Sequence, residues 1–276
     1  MNDTASHADT TPDDTTDPGA RSAISDEHRL RSLRRWNIGV GLAHLLQGIV
    51  ILLLSNGFAI PVQAKVQDGP PGTPLTIDKV FFDLRFSVAI AVFLFLAAAD
   101  HLLMATPRVV DWYEANLRRG VNYARWIEYS VSASLMVVLI GMLPGITNLY
   151  AIMALFAVNA AMILFGLVME QVNEQGKPVN WWPFVFGCFA GIVPWIAITV
   201  ALITSQSEGD GVPGFVYGIF VSLFILFNCF GLNQWLQYRG RGKFANYLYG
   251  EKVYIVLSLV AKSALAWQVF AGTLAD

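Results

Sequence analysis

Seven stretches of this chain are apolar for long enough to cross a lipid bilayer, and little is left over to fold in any other way. They run over roughly 33–55, 80–105, 121–143, 147–169, 182–204, 213–237 and 248–272. Each can span about 30 Å of hydrocarbon at about 1.5 Å per helical residue. Lipid offers the backbone no hydrogen-bonding partners, so stretches of this length satisfy their own amides as α-helices. Of the 276 residues, 55% are apolar and 14% charged, which excludes an ordinary soluble domain. The expected fold is an all-α membrane protein, a single seven-transmembrane-helix bundle over residues 26–276.

Residues 1–25 read as a disordered acidic tail. The first 20 carry five Asp and no Lys or Arg, and they lack the apolar core of a signal peptide. A net charge of −2 gives no sign of a nucleic-acid partner, and no zinc spacing, P-loop or dinucleotide fingerprint is present. Cys188 and Cys229 both fall inside spans and are expected to be buried, reduced thiols, with a disulfide between them as the competing reading.

The loops set the orientation. Five Arg lie between residues 21 and 35, four between 108 and 125, a single Lys at 177, and four basic residues between 239 and 252. The opposite side has only Lys65, Lys79 and Arg85. The positive-inside rule then places the N-terminus in the cytoplasm and the C-terminus outside the cell membrane. One outer connection is long, residues 56–79. Its Asn56-Gly57 and Pro70-Pro71-Gly72 turn signals flank the alternation Val62, Ala64, Val66, which predicts a small β-hairpin over the extracellular mouth, with an irregular loop as the competing reading.

Lys262 lies near the middle of the last span, where an ammonium group costs several kcal/mol (about 2.5–3.5 on insertion scales) unless it is paired or chemically modified. A desolvated lysine is also the usual anchor for a Schiff base with an aldehyde, because burial favours the neutral nucleophilic amine. The competing reading is a structural lysine that snorkels or pairs with a carboxylate. Glu128 is the only carboxylate of the third span. It lies about 10–12 Å in from Val121, against about 21 Å from Leu248 to Lys262 on the seventh span, which runs the same way. A lysine side chain leans back toward the helix N-terminus and closes much of that gap. Glu128 can instead pair locally with Arg125, three residues earlier. Ser258, one turn before Lys262, can offer a hydroxyl to the same nitrogen.

His44, His101, Asn122 and Arg125 are expected to give the cytoplasmic half of the bundle a polar, hydrated cavity. Trp126, Tyr129, Asn159, Met162, Gly191, Pro194, Trp195, Phe227 and Gln234 can wall an elongated apolar ligand, with Gly191 and Pro194 bending the fifth span.

Seven helices, a lysine in the seventh and Arg125-Trp126-Ile127-Glu128-Tyr129 in the third resemble microbial rhodopsins. The inverted orientation and Ser258 in place of the usual acid are the marks of heliorhodopsins, which the chain resembles along its length after the tail. The similarity is carried by PPGT (70–73), RWIEYS (125–130), VNAAMILFG (158–166), GIVPWI (191–196), VPGFVYGI (212–219) and YIVLSLVAKSALAWQ (254–268). The resemblance implies a rhodopsin-like fold and all-trans retinal bound at Lys262 as a protonated Schiff base. It further implies Glu128 as the single counterion, Ser258 as its hydrogen-bonding neighbour, and His44 and His101 in a cavity that takes up the proton. A homodimer in the lipid bilayer, light sensing with a long-lived photoproduct, and an unknown cytoplasmic signalling partner are also implied. Two other functions compete: a light-driven proton transporter or light-gated channel, and a non-photochemical membrane enzyme using the Lys262/Glu128 pair.

Overall fold

The computed structural model describes residues 18–174 and 176–275, with side chains from Asp26 onward. Of the tail expected over 1–25, residues 1–17 lie outside the described residues, and Pro18 onward belongs to a helix rather than to a disordered segment. The chain runs α1 (Pro18–Leu54), β1 (Ala59–Val66), β2 (Ile77–Arg85), α2 (Phe86–Met104), α3 (Val110–Arg118), α4 (Tyr123–Met142), α5 (Leu149–Val172), α6 (Trp182–Glu208), α7 (Gly214–Arg239) and α8 (Tyr247–Val269). Among the described residues, seven helices are long and apolar enough to cross a membrane, all but α3.

Asparagines start three of the spans by accepting otherwise unpaired amides. Asn122 accepts from the Arg125 N–H, Asn148 from Tyr150 and Ala151, and Asn246 from Leu248. Gly240 closes α7 in the left-handed region, at φ 59°, a conformation open to glycine at little cost. The helices pack side by side from α1 through α2, α4 and α5 to α6, and α8 joins α7 back to α1. Trp195 of α6 meets Phe220, Phe224 and Phe227 of α7 edge-on.

The hairpin is present. Strands β1 and β2 pair antiparallel, Ala59 opposite Arg85, with a bulge between Val62 and Gln63. Val62 and Ala64 turn inward and are buried, as the alternation requires; Val66, on the same face, is exposed at the end of the strand. The Gln63 N–H donates to the Thr147 carbonyl and the Asn56 N–H to that of Leu274, so the hairpin is fastened to the α4–α5 turn and to the end of the chain. This end of the bundle is called the hairpin end below, and the opposite one the tail end.

Three expectations change. The second span begins at Phe86 rather than near residue 80, because Val80, Phe81 and Phe82 belong to β2; an apolar run that short fits either element until its pairing partner is known. Residues 110–118, which lie outside the seven expected spans, form α3, whose Val110, Tyr113 and Leu117 are buried at helical spacing. Burial, followed by the nearby Glu251 charge, lifts the Tyr113 phenol above its ordinary value. Both cysteines are free, but neither is buried as expected: Cys188 is exposed on the flank of the bundle and Cys229 is half-buried. As for Gly191 and Pro194, α6 runs unbroken through both.

The core divides along the bundle axis. Toward the hairpin end it is almost wholly apolar, built from Phe86, Ile90, Phe93, Met136 to Met142, Ile198, Ile219 and Leu265 among others. Tyrosines aside, the buried ionisable side chains among the described residues are His44, His101, Arg125, Glu128, Glu170, Glu251 and Lys262. Asn56 and Leu274 are hydrogen-bonded, and His44 and Lys262 each stand twelve residues before one of them, so the two lie at about the same depth. The others lie at the tail-end side of that level, or reach it from there.

Candidate functional site

Lys262 is 3% exposed and projects from the middle of α8 into the bundle. Its Nζ donates to Glu128 Oε2 at 3.1 Å and to Ser258 Oγ at 3.0 Å, and lies 4.7 Å from the centre of the Tyr129 ring. The lysine therefore reaches back one turn along its own helix to meet α4. The competing local pair does not form: Glu128 goes to Lys262, while Arg125 goes to two other carboxylates. Glu128 Oε1 and the Ser132 hydroxyl one turn later are buried and have no hydrogen-bond partner among the described residues.

The amine opens onto apolar space. A cavity of about 40 Å³ beside it is lined by Tyr129, Ala133, Met136, Phe227, Phe230, Ser258 and Ala261. A second, of about 410 Å³, continues from Phe227 and Phe230 past Trp126, Met162, Gly191, Trp195 and Gln234. Gly191 leaves room here for Met162, whose Sδ would stand 2.4 Å from an added Cβ. Asn159 and Pro194 line neither cavity. Asn159 donates to Ser134 Oγ at 3.1 Å, and Pro194 is buried within α6. Phe230 and Tyr254, which pack on Tyr129 and Trp126, were not picked out from the sequence. A buried amine at the mouth of an elongated aromatic-walled space, with one carboxylate at hydrogen-bond distance, fits a long apolar aldehyde held as an imine.

The sequence profile of the heliorhodopsin family matches residues 33–274. The chain belongs to the heliorhodopsin family. Heliorhodopsin membership implies a retinal chromophore, and with the seven spans it makes this a light-responsive, multi-pass membrane protein. No curated protein matches the sequence. Among solved structures, a light-driven proton pump from Leptosphaeria maculans is similar, with a TM-score of 0.62 and 17% identity over 87% of this chain and 94% of that one. At that identity the likeness shows a shared rhodopsin fold.

The polar residues of this heliorhodopsin form two groups. His44 and His101 stack with ring centres 5.9 Å apart, and His101 Nδ1 lies 2.7 Å from Asn37 Oδ1. Neither nitrogen of His44 has a partner among the described residues. Asn122 and Arg125 are not held by the histidines. Arg125 binds Glu170 of α5 and Glu251 of α8 through its two terminal nitrogens and lies over the Tyr254 and Trp126 rings. Asn122 donates from its backbone N–H to Glu170 and from Nδ2 to Glu251, at 2.9 and 2.7 Å. Trp126 Nε1 and the Tyr247 hydroxyl also donate to Glu170, at 2.7 and 3.2 Å. A cavity of about 10 Å³, lined in part by His101, Asp100, Tyr113, Asn122, Arg125 and Glu251, separates the two groups.

Glu170 and Glu251 are the site residues that sequence reasoning missed. The signal was available: Glu251 is an acid inside the seventh span, and Glu170 follows directly on the fourth. The pairing was not, because it joins residues 126 and 45 positions apart from Arg125.

Removing the cation from this cluster leaves two carboxylates buried without a counter-charge. Arg125→Gln is expected to destabilise the protein by about 3–5 kcal/mol, read as a lower thermal unfolding midpoint in detergent. Lys177→Ala, which breaks the exposed pair with Glu174, should stay within about 1 kcal/mol of the parent.

Proposed function

We propose that this heliorhodopsin is a light sensor rather than an ion pump, with all-trans retinal attached to Lys262 and the N-terminus in the cytoplasm. The observation that carries the reading is the one-sided placement of charge: Lys262 meets one carboxylate, and among the described residues no buried ionisable group lies between it and the hairpin end. Retinal, when bound, supplies visible absorption and a polyene that isomerises in light. The chain's own residues do the rest. Lys262 anchors the chromophore through its nitrogen. Glu128 is the single counterion that keeps the proton and positive charge there. Ser258 fixes the nitrogen's direction, and Tyr129 presents its ring face to the same charge.

A proton leaving that nitrogen has Glu128 beside it, then His44 at the same level, and His101 stacked on it with the small cavity beyond, on the cytoplasmic side in this reading. The opposite direction is closed. About three turns along α4 from Glu128 stands Leu139, and residues 129–142 contain no acid. Met136, Leu139 and Ile140 fill that space in the apolar core. A proton displaced by light is stored on the cytoplasmic side and returns by the route it took. The lasting consequence is a change of shape, read by a cytoplasmic partner from a homodimer in the lipid bilayer.

Replacing Lys262 by Ala should abolish visible absorbance in protein expressed with retinal, while insertion into the membrane is retained. Colour that survives the substitution would place the attachment elsewhere, and a parent protein that stays colourless with retinal would favour a non-photochemical enzyme using the Lys262/Glu128 pair.

Glu128→Gln removes the negative charge that stabilises the positive nitrogen in the dark. Excitation moves that positive charge along the polyene, so the loss of its partner narrows the energy gap. The absorption maximum should therefore move to longer wavelength; an unshifted maximum with retinal bound assigns the counterion to another group.

Illumination of vesicles containing the oriented pigment should produce no sustained pH change. A steady change abolished by a protonophore would make the protein a light-driven proton transporter.

A further inference from the structure

Trp126 stands between the two halves of the site. One edge of its indole lines the large apolar cavity, and its Nε1 donates to Glu170 Oε2 at 2.7 Å, inside the Arg125 cluster. Gly166 and Glu170 are one turn apart on α5, so the indole lies along a single face of that helix, its six-membered ring on Gly166 and its N–H on Glu170. The fit at Gly166 is close enough to exclude any side chain, since a Cβ there would meet ring carbons at 2.3 Å. Tyr254 closes the other side edge-on, with ring centres 5.9 Å apart. The backbone at this point is held as well, because Gln234 of α7 donates to the Gly166 carbonyl at 3.2 Å.

A ring confined in this way cannot translate toward α5. A push from the cavity can only tilt it in its slot, and the tilt is felt at the far end, where the N–H meets the carboxylate. Hydrogen bonds weaken steeply as the donor angle closes, so a small rotation is enough to loosen Glu170. Glu170 also accepts from Arg125, Tyr247 and the Asn122 backbone. Those donors start α4 and α8 at the tail end, so a loosened Glu170 alters the contacts that hold three helix ends together.

We propose that Trp126 is a positioning residue that passes retinal isomerisation to the tail end of the bundle by breaking or weakening its indole hydrogen bond to Glu170. The proposal rests on the light-sensor reading and names the first contact through which the shape change leaves the chromophore cavity. It needs no net proton transfer, so it is independent of which group stores the displaced proton.

Light-minus-dark infrared spectra of the pigment in membranes test it, with every spectrum scaled to retinal's own isomerisation bands. The parent protein should show an indole N–H stretching band that moves to higher frequency in the long-lived photoproduct. It should also show a carboxylate band pair that Glu170→Gln removes. In Glu170→Gln the N–H band should already sit at the higher frequency in the dark and no longer respond to light. In Trp126→Phe, which keeps an aromatic wall but has no N–H, both the N–H band and the Glu170 band pair should be lost. A purely structural role for Trp126 would lower pigment yield or stability and leave the Glu170 pair in proportion to isomerised chromophore, and that outcome overturns the proposal. If Trp126→Phe fails to bind retinal, the parent and Glu170→Gln spectra still decide: an indole N–H band unmoved by light in the parent is equally fatal. A parent protein with no isomerisation bands at all overturns the light-sensor reading, and this proposal with it.

Discussion

Hydrocarbon cannot solvate a charge, and the arrangement of this bundle follows from that constraint. Each buried ionic group has to find its counter-charge inside the protein or reach water at a helix end. The chain meets the requirement twice. Lys262 takes Glu128 at mid-depth, and Arg125 takes Glu170 and Glu251 near the tail end. Because each partner sits on a different helix, the ion pairs also fix which helices lie together: α4 against α8 in the first case, and α4 against both α5 and α8 in the second. Lipid tails are as apolar as leucine, so no hydrophobic driving force joins the helices, and these polar contacts act together with close packing to choose the neighbours.

Aromatic residues join the two charged centres. Tyr129 offers its ring to Lys262 and its hydroxyl to the Tyr254 carbonyl, Tyr254 packs on Trp126, and Trp126 donates to Glu170. Trp126 suits the position, since it has a large apolar body for the cavity wall and one polar handle that finds its acceptor in Glu170. One residue that shapes the apolar cavity thus ends on the ionic cluster. Among the described residues, the hairpin end has no comparable ionic framework. There the bundle is held by the apolar core and by backbone hydrogen bonds from β1 and Asn56 to the α4–α5 turn and to Leu274.

Much of this was legible in the chain itself. Seven spans, the central lysine, its partner Glu128 and the serine one turn before it follow from run length, the cost of a buried ammonium and helical spacing. The hairpin followed from alternation at Val62 and Ala64. Short elements were harder. Val80, Phe81 and Phe82 look equally helical and extended, and α3 has only nine residues, too few for its apolar stripe to stand out between two spans.

What the sequence determined by itself is therefore local: how many times the chain crosses the bilayer, where Lys262 and Ser258 stand on one helix, and which acid lies at a depth that a long lysine can reach. Those features depend on the rise of a helix and the solvation of single groups, and both act within a few turns. The tertiary structure alone decided the partners of Arg125. From the sequence it had an acid three residues away and a natural place beside the histidines. In the fold, Glu170 and Glu251 arrive from α5 and α8 and satisfy it from both sides, leaving Glu128 to Lys262. Long-range pairing of this kind depends on which helices become neighbours, and that is settled by the packing of the whole bundle rather than by any one stretch of chain.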